Sequence, residues 1–221
     1  MDPMWLFSTY LTTAIGHFLS LLPGAKTLIG MNFYTGLSIS LLAVLGYYFC
    51  TKVLKIPAWL TFLGEFTAVS FCWCPTGSFY NYVTYIFFLI SVICLYLGLS
   101  RGKGGLLFAA GVALGCNVLA RFSNLPEAAM IVGVWAYGII CWLEEQKSIV
   151  QDCVDVAGNA GTEDKKARKK AAGRRLRKKL LQDTGMCLAG YLTALLVLFG
   201  YIQICYGMDE YVKGILRLFS M

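Results

Sequence analysis

The sequence predicts an all-α fold: a polytopic transmembrane helix bundle of about six spans, preceded by an amphipathic helix lying in the membrane interface. Three observations carry this expectation. Of 221 residues, 58% are hydrophobic and only 14% are charged, whereas a soluble domain carries about 25% charged residues. Mean hydropathy is +0.66. The apolar residues fall in runs close to the roughly 20 residues a helix needs to cross a bilayer core of about 30 Å. A water-soluble globule and intrinsic disorder are thereby excluded. The nine cysteines follow no framework spacing, which removes a disulfide scaffold as well.

The first element is Met4–Leu22. Ser8, Thr12, Gly16 and Ser20, with Thr9, Thr13 and His17, form a polar stripe along one helix face. Phe7, Leu11, Ala14, Phe18, Leu21 and Leu22 lie largely opposite. That pattern predicts an interfacial amphipathic helix rather than a seventh span. A cleavable signal peptide would need a basic start and a small-residue exit, which this segment lacks. Six spans follow: Phe33–Cys50, Ile56–Pro75, Phe79–Leu99, Gly105–Ala120, Ala128–Leu143 and Gly185–Tyr206. The fourth and fifth have 16 residues each, so they require tilt, flank extension or shielding by neighbours. Pro57 and Pro126 sit where a first helical turn tolerates proline, and Arg101-Gly-Lys-Gly-Gly separates the third and fourth spans. Gly111 and Gly115 make a GxxxG pair, a pattern that permits close helix packing and also arises by chance.

Charge is concentrated rather than spread. Ten of the 19 basic residues lie between Lys165 and Lys179, leaving nine basic against twelve acidic residues elsewhere, a net of −3. With six spans, one set of connections holds Lys52, Lys55, Arg101, Lys103, Lys147 and this cassette. The other holds Lys26, Arg121, Lys213 and Arg217. Basic loops remain cytoplasmic, so the expected protein is a multi-pass integral cell-membrane protein with both termini outside. Three regions result: residues 1–143, the interfacial helix and five spans; residues 144–184, a cytoplasmic basic loop (Glu144–Thr184); and residues 185–221, the sixth span and an outer-face C-terminal segment. The loop has no aromatic residue after Lys147, so no nucleic-acid partner is expected. A basic run beside a membrane gains about 1 kcal/mol per residue near anionic lipid, which makes membrane lipid the expected partner.

Cys50, Cys94, Cys116, Cys141, Cys187 and Cys205 lie in or at the ends of apolar helices, where they act most simply as small hydrophobes. Cys72-Trp-Cys74 is the one close pair. With His17 the sole histidine, no metal site is expected. Glu65 sits mid-span, either as a proton or ligand site or as a protonated, hydrogen-bonded structural acid. Arg121, Asn124 and Glu127 cluster at the outer end of the fourth span, against the positive-inside trend. The guanidinium fork suits phosphate oxygens at headgroup depth, and the alternatives are snorkelling or an Arg121–Glu127 pair. Other outer polar residues are Lys26, Asn32, Tyr34, Thr76, Ser78, Tyr80, Asn81, Tyr82, Asp209 and Glu210. They suit sugar binding or interfacial anchoring. No hydrolase, zinc-protease or phosphate-loop motif is present, and no catalytic residue is assigned.

The stretch Ala110–Pro126, ending Ala-Arg121-Phe-Ser-Asn-Leu-Pro, resembles the Gly-Leu-x-x-x-x-Lys/Arg-x-Pro region of integral-membrane glycosyltransferases of the C superfamily. Protein O-mannosyltransferases and aminoarabinose transferases belong to that group. Met4–Leu22 with Gly24–Gly30 and a span ending in Lys52 is similar to their juxtamembrane helix and next span. Cys72-Trp-Cys-Pro-Thr and Tyr80-Asn-Tyr-Val-Thr-Tyr are similar to bacterial members. The resemblance covers residues 4–206. It implies a polyprenyl-phosphate-linked sugar donor, inverting hexosyl or pentosyl transfer on the outer face, and often a divalent cation. It places the donor phosphate on Arg121; Asn124, Glu127, Tyr80 and Asn81 are then the outer-face residues expected to line the cavity. The family's first span and acidic outer loop have no counterpart, so a shortened or inactive relative is expected, with no acceptor specified. The alternative is a non-enzymatic scaffold or transporter-like bundle with Glu65 as its working residue.

Overall fold

The computed structural model describes residues 9–71, 79–155, 162–205, 207, 209, 212–214 and 216. Among them every regular element is a helix. The order is α1 (Tyr10–Ser20), α2 (Leu28–Tyr48) continued by a π-helical turn (Phe49–Val53), α3 (Ala58–Phe71), α4 (Phe79–Arg101), α5 (Gly104–Ala120), a 3-10 segment (Phe122–Ile131), α6 (Val132–Asp155) and α7 (Thr162–Cys205). Among the described residues four stretches are long and apolar enough to cross a membrane: Leu28–Val53, Asn81–Arg101, Phe122–Lys147 and Lys170–Cys205. Gly104–Ala120 is a shorter apolar helix, and the described part of the expected second span is the 14 residues of α3.

Local chemistry sets the boundaries. Thr27 caps α2, its hydroxyl accepting from the Gly30 N–H at 3.1 Å, which satisfies one of the orphan donors of the first turn. α4 ends in a Schellman turn: Lys103 N donates to Gly98 O at 2.9 Å and Gly102 N to Leu99 O at 3.4 Å. Gly102 supplies the left-handed residue that such a turn needs, with φ +62°. α3 starts directly after Pro57, as expected. Pro126 departs from expectation, because it lies inside the 3-10 segment and α-helix resumes only at Val132. Arg121 is extended (φ −155°, ψ 114°), so the chain breaks there before winding more tightly.

The bundle centre is built by α4, α5 and α7. Leu95, Leu99, Leu107, Ala110, Leu114, Val134, Leu180 and Cys187 form its buried cluster. Glycine explains how α5 and α7 meet. A Cβ on Gly111 would strike the Cys187 carbonyl, one on Gly115 would lie 2.7 Å from Ala194 Cβ, and one on Gly190 would strike the Phe108 carbonyl. The GxxxG pair is therefore the seam of the closest helix contact, since only residues without side chains let two backbones approach this far. Gly104 near Met186 and Gly115 near Ala194 show that α5 and α7 run parallel, joined through α6. Between α4 and α5 the tight turn gives an antiparallel pair.

The basic cassette is helical. α7 is continuous over 44 residues, about 66 Å at 1.5 Å per residue, more than twice a bilayer core. The cassette and the last apolar run form one rod, with the cassette at the end away from Arg121. Lysine, arginine, alanine and leucine are strong helix formers, which outweighs the scattered glycines.

At the Arg121 end, α1 docks with Tyr10 and Thr12 buried. The Thr12 hydroxyl donates to the Ala120 carbonyl at 2.9 Å, closing one of the orphan acceptors at the α5 C-terminus. Tyr10 and Ile202 form a second small cluster with Phe122, Leu198 and Phe199. In α1 the polar Thr12 faces protein, while Phe18 and the C-cap residue Leu21 are exposed at 65% and 68%.

Candidate functional site

One group of polar side chains gathers where α5 breaks. Asn117 stands one turn before Arg121, and it is the one amide in the apolar run of α5. It is fully buried. Its Nδ2 donates to the Glu127 carboxylate, and its Oδ1 accepts from Asn124 Nδ2 at 3.2 Å. A single amide thus ties α5 to two positions of the 3-10 segment. The geometry follows from the local chain: the extended residue Arg121 reverses direction, and the tighter winding after it brings residues 124 and 127 back over position 117.

Arg121 projects from the same break and is exposed. Its Nη1 donates to Asn81 Oδ1 at 3.1 Å, linking α5 to the first turns of α4. Five residues from three elements thus meet at one end of the bundle: Asn81, Asn117, Arg121, Asn124 and Glu127. Four of them were expected from sequence, except that Glu127 bonds to Asn117 and Arg121 to Asn81 where an Arg121–Glu127 pair had been an alternative. Asn117 was missed. The signal available for it was an amide inside an otherwise apolar helix, a placement that demands a partner.

Other expected residues lie elsewhere. The side chain of Tyr80 lies outside the described residues, as do Thr76, Ser78, Cys72, Cys74 and Glu210. Tyr34 donates its hydroxyl to the Pro23 carbonyl at 3.0 Å, Tyr82 is buried, and Lys26 and Asp209 are exposed. Glu65 does not join the cluster. It is half-buried on α3 with its carboxylate against α2, where a Cβ on Gly46 would lie 2.9 Å from Oε1. Cys187 is fully buried in the core, whereas Cys141 and Cys205 are exposed. Among the described residues no three His, Cys, Asp or Glu side chains group to hold a metal ion. The divalent cation that the resemblance implies therefore has no matching ligand set there.

Chemically, the cluster offers a guanidinium, three carboxamides and a carboxylate at a helix break. A guanidinium carries five N–H donors in a planar fork, and carboxamides both donate and accept. That combination suits an anionic group followed by hydroxyls. No protein-family model, curated protein or solved structure matches the chain, so the functional reading rests on this site and on the sequence.

Proposed function

We propose that this chain is a multi-pass membrane protein of six spans, with an interfacial N-terminal helix, that binds a polyprenyl-phosphate-linked sugar at the outer face. Arg121 takes the donor phosphate, and Asn81, Asn124 and Glu127 border the sugar side. One observation carries the reading: the Arg121 cluster assembles from three elements at the bundle end opposite the basic cassette. Fifteen of the 19 basic residues fall on the cassette side under a six-span topology, which assigns that side to the cytoplasm and Arg121 to the outer surface. The planar fork of guanidinium donors suits the oxygens of a lipid phosphate at headgroup depth. The similarity of Ala110–Pro126 to the C-superfamily glycosyltransferases supplies the polyprenyl carrier. The function proposed is donor recognition. Transfer needs in addition a carboxylate with room for an acceptor hydroxyl, and Glu127 is engaged by Asn117.

The test is binding of polyprenyl phosphate to the purified full chain, wild type against Arg121→Ala. Loss of one charge-assisted contact, about 1.5–3 kcal/mol, predicts roughly tenfold or greater weakening. Equal affinity, or no binding by either protein, would overturn the donor site. A second reading makes Glu65 the working residue of a transporter-like bundle, favoured by the gap that Gly46 leaves beside its carboxylate. It predicts proton-coupled uptake into vesicles that Glu65→Gln abolishes, and absence of uptake removes it.

A further inference from the structure

Away from the Arg121 cluster, α6 and α7 border a cavity of about 180 Å³ at the cassette end of the bundle. That is many times the roughly 10–15 Å³ that one water requires. Its floor is apolar, formed by Leu99, Val134, Leu176 and Leu180. The two helices are antiparallel neighbours, and Gly138 of α6 faces Leu176 and Leu180 of α7. That register orders the charged groups along the groove. Glu145 stands at the cassette end, Trp142 level with Arg175, Tyr137 level with Lys179, and Asp183 at the far end. Two cations therefore occupy the middle, with one carboxylate beyond each. Asp183 interacts with Lys179, which leaves Arg175 as the stronger centre of positive charge. Trp142 lines the wall, and its Nε1 is buried without a hydrogen-bond partner among the described residues. Gln146 Nε2, one turn further along α6, is likewise buried and unpartnered. A buried indole N–H normally finds an acceptor, so this wall is short of acceptors. The surroundings are basic: between Lys170 and Asp183, α7 carries six basic residues and one acid.

We propose that this cavity is a binding site for an anionic phospholipid, held by its phosphate in the middle of the groove. Arg175 makes the principal contact, and Lys179 adds a second. A guanidinium fork matches two phosphate oxygens at once. A small turn of the Trp142 indole, whose ring already lines the cavity, brings Nε1 to a third oxygen and relieves its unmet donor. The first methylenes of the acyl chains lie on the leucine floor. The order of charges selects the class. A phosphate level with Arg175 lies between the two carboxylates rather than against either. The rest of the headgroup then enters the field of the cassette, whose excess positive charge disfavours an ammonium. A tryptophan at the end of an apolar run is also where membrane proteins meet headgroups. The site is independent of Arg121 and of the donor-binding proposal.

The experiment reconstitutes the full chain in nanodiscs of equal phosphatidylglycerol, phosphatidylethanolamine and phosphatidylcholine, and quantifies lipid retained after delipidating washes. Phosphatidylglycerol is expected to be enriched about tenfold over the other two, the scale of one charge-assisted contact. Arg175→Gln should lower its retention by about the same factor. Arg174→Gln makes the same change of charge at an exposed residue that does not line the cavity. It should leave retention within about twofold, because a loss of general surface charge is largely screened. Trp142→Phe keeps an aromatic ring, removes only the donor, and should weaken retention about fivefold. Free glycerophosphoglycerol, which has the phosphate without the chains, should fail to displace the bound lipid. Retention without preference, enrichment of phosphatidylethanolamine or phosphatidylcholine, equal losses in the Arg174 and Arg175 variants, an unaltered Trp142→Phe protein, or full displacement by the free headgroup would each overturn the assignment.

Discussion

Replacing Gly111 by alanine sets a methyl group against the Cys187 carbonyl of α7 and 2.8 Å from the Tyr191 nitrogen. Both obstacles are helix backbone and cannot rotate away, so α5 and α7 must separate. Ordinary contacts begin near 3.4 Å, so the Tyr191 nitrogen alone demands a shift of several tenths of an ångström and the closer Cys187 carbonyl a larger one. A gap of about 0.5–1 Å forfeits a quarter to a half of each van der Waals contact across the seam, and overpacking typically costs about 1–3 kcal/mol. Helix propensity returns up to about 1 kcal/mol, since alanine is the better helix former. The expected net loss is about 2 kcal/mol. Gly185, also on α7, has nothing within 4 Å of its would-be Cβ, so Gly185→Ala keeps only the propensity gain, about 0.5–1 kcal/mol. The assay is unfolding of purified protein in mixed micelles, titrated with a denaturing detergent and followed by helicity. The same chemical change should thus shift stability in opposite directions at the two positions. If Gly111→Ala proves as stable as Gly185→Ala, the glycine seam is not what holds α5 against α7.

Asn117→Leu leaves the Glu127 carboxylate and the Asn124 amide without their partner and should destabilise the fold by about 1–3 kcal/mol, read in the same unfolding titration. Gly102→Ala forces a side chain into the left-handed region at φ +62° and should cost about 1–2 kcal/mol, with Gly102→Asn milder. Substituting glutamine for the ten basic residues between Lys165 and Lys179 should destroy the bias that sets orientation. A glycosylation tag on the C-terminus, modified uniformly in wild type, should then report mixed topology.

Membrane character was legible because hydropathy is additive along a chain: the runs that become α2, α4 and α7 are plain in the sequence. The helix break at Arg121 was also visible, since a basic residue followed by Asn, Pro and Glu ends an apolar run. Partner choice was not. Glu127 lies close to Arg121 in sequence and suggests an ion pair, but tighter winding after the break carries it over Asn117 instead. Asn117 itself passed for filler, because one amide among sixteen residues barely alters hydropathy while dominating local hydrogen bonding. Gly111 and Gly115 were legible as a motif without a partner, since sequence does not show which helix will press against them; Gly190 on α7 supplies that. That the cassette would be helical was not legible, because polar, glycine-punctuated connections are usually irregular. Lysine and arginine carry helix propensity regardless of charge, and α7 runs through them.

The donor proposal puts a lipid phosphate at the break between α5 and the 3-10 segment. The most direct measurement is photo-crosslinking of the full chain in membranes with a polyprenyl phosphate bearing a diazirine beside the phosphate, followed by peptide mapping. Adducts are predicted on the segment containing Asn117–Glu127 and on the start of α4 around Asn81, and they should be lost in Arg121→Ala. Adducts confined to other segments, or a pattern unchanged by Arg121→Ala, would contradict phosphate binding at this break.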